Sequence, residues 1–128
     1  MSAEEETSAQ RWARDIDTAT LRLSTISVGQ VKAAVMGVSD FDERIRLDAA
    51  LNSFLDTIEA DGGPALPFDA SHASVWQALM YNPLLAGLPQ VDRQVHAQAM
   101  HEGLWVVEQR GPATAALQSL GARIAILT

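Results

Sequence analysis

A chain of 128 residues with 48% apolar side chains can bury about two-thirds of the surface its unfolded form exposes, which fits one domain over residues 1–128 without staples. The absence of cysteine excludes disulfides, thiolate nucleophiles and zinc held by sulfur. A net charge of −7, with nine scattered Lys and Arg residues, gives no basic patch of the kind that phosphate contacts demand, and so disfavours tight non-specific nucleic-acid binding. A nuclease that offsets its own carboxylates with a bound cation stays compatible with that charge. The first ten residues are acidic and polar, without the basic start and apolar core of a signal peptide. No apolar stretch approaches the roughly 20 residues that span a bilayer. The expectation is a cytoplasmic protein with no membrane segment.

In chain order, Ser8 to Thr18 reads as a helix with Trp12, Ile16 and Ala19 at helical spacing. Leu21 to Ser27 is rich in β-branched residues and alternates at its start, as a strand does. Val28, Val31 and Val35 then share a helical face, and Gly37 offers a left-handed cap. Ser39 or Asp40 can cap a longer helix whose inner stripe is Leu47, Leu51, Phe54, Leu55 and Ile58. After the Asp61-Gly62-Gly63-Pro64 break, Ala65 to Phe68 reads as a strand at a sheet edge, because Pro67 cannot donate to a ladder. Asp69 or Ser71 caps a helix that buries Ala73, Trp76, Leu79 and Met80 and stops at Pro83. A helix from Asp92 to Glu102 ends at Gly103. Leu104 to Val107 and Ala122 to Leu127 are the last strands, the former expected, like Leu21–Ser27, to be buried and parallel. Strands alternating with helices predict an α/β fold with a parallel sheet. An all-helical fold is the alternative.

Candidate chemistry is sparse. Asp92 stands where it can cap a helix or ligate a metal. Asp40, Asp42 and Glu43 form an acidic run whose default role is a favourable first helical turn. His96 and His101 lie about 140° apart around one helix and do not share a face as i, i+4 ligands would; His72 stands apart from both in sequence. Trp12, Trp76 and Trp105 read as core residues, since a base-stacking platform would need basic neighbours. Apolar residues in Leu84-Leu85-Ala86-Gly87-Leu88 suit either a partner contact or a loop packed on its own core. No P-loop, dinucleotide fingerprint or Ser-His-Asp spacing is present.

Three segments in order resemble the VapC-type toxin branch of the PIN-domain family. Leu21-Arg-Leu-Ser-Thr-Ile-Ser-Val-Gly-Gln-Val-Lys-Ala-Ala-Val35 resembles the family's second strand and following helix, where Ser-x-Ile-Thr-x-x-Glu supplies a metal-binding glutamate; Gln30 stands in its place. Arg46-Leu-Asp-Ala-Ala-Leu-Asn-Ser-Phe-Leu55 through Leu66-Pro-Phe-Asp69 is similar to the middle helix and third strand. Asp92-Arg-Gln-Val-His-Ala-Gln-Ala-Met-His-Glu-Gly-Leu-Trp-Val-Val107 resembles Asp-x-x-Ile-Ala-Ala-x-Ala-x-x-x-Gly-x-x-Leu-Val, the second acidic motif. Gly121-Ala-Arg-Ile-Ala-Ile-Leu127 matches the closing strand loosely, so the resemblance spans residues 11–127.

The resemblance implies a PIN-like three-layer α/β/α fold, metal-dependent endoribonuclease activity with Mg²⁺ or Mn²⁺, RNA as substrate, a homodimer and an antitoxin partner. It implies Asp92 as metal ligand and catalytic residue, with Gln30 at a degenerate catalytic position. The departures are equally specific. The family's first strand, ending in Asp-x-Asn, has no counterpart here, so that a native start upstream of Met1 is expected. The usual Thr-x-Asn-x-x-Asp is Glu108-Gln-Arg-Gly-Pro-Ala113. Magnesium and manganese want several converging hard oxygen ligands. Weak or absent metal binding and an impaired nuclease follow as expectations, the alternative being a non-catalytic interaction or dimerisation protein on the same fold.

Overall fold

The computed structural model describes residues 8–127. Its helices and strands are α1 (Ser8–Asp15), α2 (Thr25–Met36), α3 (Phe41–Gly62), α4 (Ala73–Met80), α5 (Gln90–Glu102), β1 (Val106–Gln109), α6 (Thr114–Ser119) and β2 (Ile124–Leu127), with 3-10 turns at Thr18–Thr20, Ala70–His72 and Pro83–Leu85. The chain divides into two compact units: Asp17–Ala70 forms one, and the rest of the described chain the other.

In the unit Asp17–Ala70, Asp40 caps α3 as expected, its side chain accepting from the Glu43 amide at 2.9 Å. Asp42 and Glu43 fill the acidic first turn, where they complement the helix dipole. One turn on, Arg46 pairs with Glu43 on the exposed face, and that hydrogen bond raises the guanidinium above its ordinary value. The expected inner stripe of α3 narrows to Leu55 and Ile58, at 9% and 1% exposure, with Leu47 and Leu51 half-buried; Phe54 is exposed. Helix α3 packs on α2 and on the turn Thr18–Thr20.

The strand expected at Leu21–Ser27 is corrected. Only Ser24 pairs, in a single parallel bridge with Leu66, and Thr25, Ile26 and Ser27 already form the first turn of α2. The alternation stops at Leu23, and Thr25 to Met36 is helical with Val35 buried while Val31 of the expected face is 47% exposed, so tertiary packing overrides β-propensity. The edge strand at Ala65–Phe68 likewise contracts to Leu66, held by Leu66 N–H to Leu23 C=O at 2.7 Å and Thr25 N–H to Leu66 C=O at 3.0 Å. Gly37 closes α2 in the right-handed region, φ −79°, so the left-handed cap expected there is absent.

In the other unit, β1 and β2 form a parallel pair with Val106 opposite Ile124 and Gln109 opposite Leu127. The α/β class with a parallel sheet is thereby established and the all-helical alternative set aside. Strand β1 begins two residues later than the expected Leu104 and its residues are half-buried or exposed. Residues 110–123 carry α6 across from β1 to β2, a crossover of the length parallel strands require. Helix α4 packs on α5, α5 on β1, α1 on β2, and α6 on the turn Pro83–Leu85. Helix α4 is led in by the 3-10 turn, with His72 at its N-cap. Ala73 is exposed, Trp76 and Met80 are half-buried, and Leu79 alone of that expected set is buried. Trp105 is 62% exposed, not a core residue as expected.

Helix α5 starts at Gln90 and ends, as expected, at Gly103, which takes the left-handed conformation at φ 71° while its amide and that of Leu104 bond back to Met100 and Ala99. A Cβ there would meet nothing within 4 Å, so a substitution is penalised by backbone conformation alone. Gly103→Ala is therefore expected to cost about 1 kcal/mol, read as a lower urea midpoint with an unchanged slope.

Candidate functional site

Asp92 lies in the first turn of α5. Pro89 is the N-cap, so Asp92 sits at the third helical position and the expected cap role is corrected. Its half-buried side chain faces a cavity of about 410 Å³. The walls come from the loop between α4 and α5 (Leu84, Leu85, Leu88), from the end of β1 (Glu108, Gln109) and from α6 (Thr114, Leu117). The Leu84–Leu88 run is thus divided: Leu85 is 1% exposed and packs inward, whereas Leu84 is 65% exposed at the mouth. Buried Thr114 shapes the floor, its hydroxyl accepting from the Gly111 amide at 2.8 Å.

Glu108 is the second acidic side chain of this cavity, and sequence reasoning did not single it out. Its Oε1 lies 3.1 Å from Nε2 of His96, which is 1% exposed on the inner side of α5. Nδ1 of His96 is buried and has no hydrogen-bond partner among the described residues. A buried N–H without an acceptor is strongly disfavoured, so the proton sits on Nε2 and is donated to the carboxylate. Residues 96–99 of α5 are all buried, so a histidine there must find a partner inside; that burial arises from packing and has no marker in the sequence.

Arg93, the neighbour of Asp92, holds the cavity wall. Its guanidinium donates to the carbonyls of Met80 at 2.7 Å, Leu85 at 2.6 Å and Leu88 at 3.1 Å. These are acceptors at the C-terminal end of α4 and along the following loop, where helix carbonyls lack intrahelical partners.

Gln30, the other expected site residue, is exposed on α2 in the unit Asp17–Ala70; it is not a buried polar group. His72, 1% exposed, is tied through Nε2 to Glu102 at 3.0 Å and meets the His101 ring edge-on at 5.1 Å. The histidine left apart by sequence is therefore part of a local cluster at the C-terminal end of α5.

Three or more His, Asp or Glu side chains arranged to hold a metal ion do not occur among the described residues. Among the described residues Asp92 and Glu108 alone supply acidic oxygens to the cavity, Glu108 is already engaged by His96, and magnesium demands near-ideal octahedral oxygen coordination. The residues described do not fit such an ion.

No protein-family model matches the chain, and no curated protein matches it. A chain in the crystal structure of FitAcB from Neisseria gonorrhoeae has a TM-score of 0.72 to this one, covering 91% of this chain and 82% of that chain at 18% identity. At that identity the likeness is one of fold, and it agrees with the PIN-like α/β class that the sequence implies. No helix among the described residues is long and apolar enough to cross a membrane.

Proposed function

We propose that this chain is a PIN-like relative of the toxin–antitoxin ribonucleases that has kept the fold and a partner-binding role while its capacity for metal-dependent RNA cleavage is impaired. One observation supports the reading: Asp92, which the resemblance puts in the second acidic motif, lines a cavity at the end of β1 whose only other carboxylate among the described residues is Glu108. Hydrolysis in this family is understood to need an ion that generates hydroxide and stabilises the leaving oxygen. With a donor set this small, no step through such an ion is derived. The partner expected from the resemblance is an antitoxin whose tail packs near the Asp92 cavity; a homodimer is the expected assembly.

An interaction protein with no residual nuclease activity is the second reading. Met36, Phe41 and Ile45, at the end of α2 and the start of α3, are 68%, 62% and 53% exposed, and clustered exposed apolar side chains mark contact surfaces. Incubation of the purified chain with single-stranded RNA and Mg²⁺ or Mn²⁺ tests the reading. RNA left intact, or cut at a rate that Asp92→Ala does not change, is the expected result; cleavage that Asp92→Ala abolishes would overturn it.

A further inference from the structure

We propose that His96 commits the second carboxylate of the cavity to a protein hydrogen bond, so that the pair Asp92 and Glu108 is not a divalent-cation site although both side chains line one pocket. The inference rests on the Asp92 cavity being the functional site, and it deepens that reading by naming the residue that sets the cavity's chemistry.

The geometry leaves Glu108 little freedom. Oε1 accepts from Nε2 of a histidine that is 1% exposed, which takes one lone-pair site of that oxygen and ties the carboxylate's rotamer to α5. Turning the carboxylate toward an ion would strip His96 of its single partner. Nδ1 is already without one, so the imidazole would be buried with neither nitrogen bonded, a state that folded proteins avoid. An ion would therefore find Asp92 and a Glu108 carboxylate already held by His96, on cavity walls that are otherwise largely Leu and Pro. Magnesium dehydrates reluctantly, keeps several waters and is held by one or two carboxylates, so engaging Glu108 with His96 weakens one of the two carboxylates that the described residues bring to this cavity.

The test uses the full chain labelled with ¹⁵N, and Mn²⁺ as the probe. In the wild-type protein, Mn²⁺ is expected to give no saturable broadening of the Asp92 and Glu108 amide resonances at concentrations that saturate simple carboxylate chelators. The His96 imidazole is expected to show a protonated Nε2 and an unprotonated Nδ1, unmoved by Mn²⁺. His96→Leu puts an apolar side chain of similar size in its place and frees Glu108; saturable broadening at both residues is expected to appear where the wild type shows none. Adding Glu108→Gln to that variant should remove the gain. Saturable Mn²⁺ binding at both residues in the wild type, or no gain in a folded His96→Leu protein, would overturn the proposal. Should His96→Leu not fold, the wild-type imidazole spectrum decides: a proton on Nδ1, or displacement of the Nε2 signal by Mn²⁺, sinks it. None of these readouts uses RNA or an antitoxin. RNA cleavage without saturable Mn²⁺ binding at Asp92 and Glu108 would refute the functional reading and leave this one standing.

Discussion

Replacing Arg93 by methionine is expected to lower stability by about 3 kcal/mol, measured as the shift of a urea unfolding curve. Methionine keeps the apolar stem that packs under the loop but supplies no donor. Three carbonyls, those of Met80, Leu85 and Leu88, then lose the guanidinium that binds them. Hydrogen bonds to charged groups contribute roughly 1.5–3 kcal/mol each, and these share one donor group, so their effects do not simply add. Arg93→Lys separates geometry from charge. A lysine ammonium is a point donor without the planar fork and cannot reach three acceptors spread from the end of α4 to the start of α5. A loss of about 1–2 kcal/mol is expected for it. A lysine variant as stable as the wild type would show that charge at this position matters and the fork does not. Faster amide exchange in residues 81–89 should accompany both substitutions, because Arg93 joins that loop to α5.

Leu85→Ala should have a comparable effect, also about 3 kcal/mol. Leu85 is 1% exposed, in the turn that α6 packs against, and it borders the Asp92 cavity. The open space beside it means that truncation enlarges a void that its neighbours cannot readily fill, which keeps the cost within the range for leucine truncation. Leu84, one residue earlier and 65% exposed, provides the contrast: Leu84→Ala should stay within about 0.5 kcal/mol. If both truncations proved equally mild, the assignment of Leu85 to the core would be wrong.

The sequence made the long helices readable because caps and periodicity agreed there. Asp40 caps α3 where it was expected to, and Gly103 ends α5 in the left-handed conformation that glycine permits. The strands β1 and β2 were legible as short apolar runs bounded by glycine and proline, with boundaries off by about two residues, a common error at element ends. Residues 21–27 misled because Thr25, Ile26 and Ser27 suit a strand by composition while continuing into α2; a β-branched run does not distinguish the two. Helix α6, Thr114–Ser119, was invisible because six residues make too few turns to show a period. Trp105 misled for a different reason: a large apolar side chain is not necessarily interior, since much of any protein surface is apolar.

At the candidate site, Asp92 was legible from its motif, whereas the elements that define its surroundings were not. Arg93 looked like one scattered cation, and only the fold brings three carbonyls to it. His96 and Glu108 stand twelve positions apart, and the reversal at Gly103 brings them together. Gln30 could be matched to a motif position, but its exposure on α2 depends on packing that no motif encodes.

The most direct test of the central claim is a side-by-side measurement of single-turnover cleavage of single-stranded RNA by the wild-type chain, Asp92→Ala and Gln30→Glu, in saturating Mn²⁺. The account predicts the same low rate for the first two and at most a slight gain for Gln30→Glu, because one restored carboxylate does not complete an oxygen-ligand set. Asp92-dependent cleavage by the wild-type chain, or full activity from Gln30→Glu alone, would contradict it.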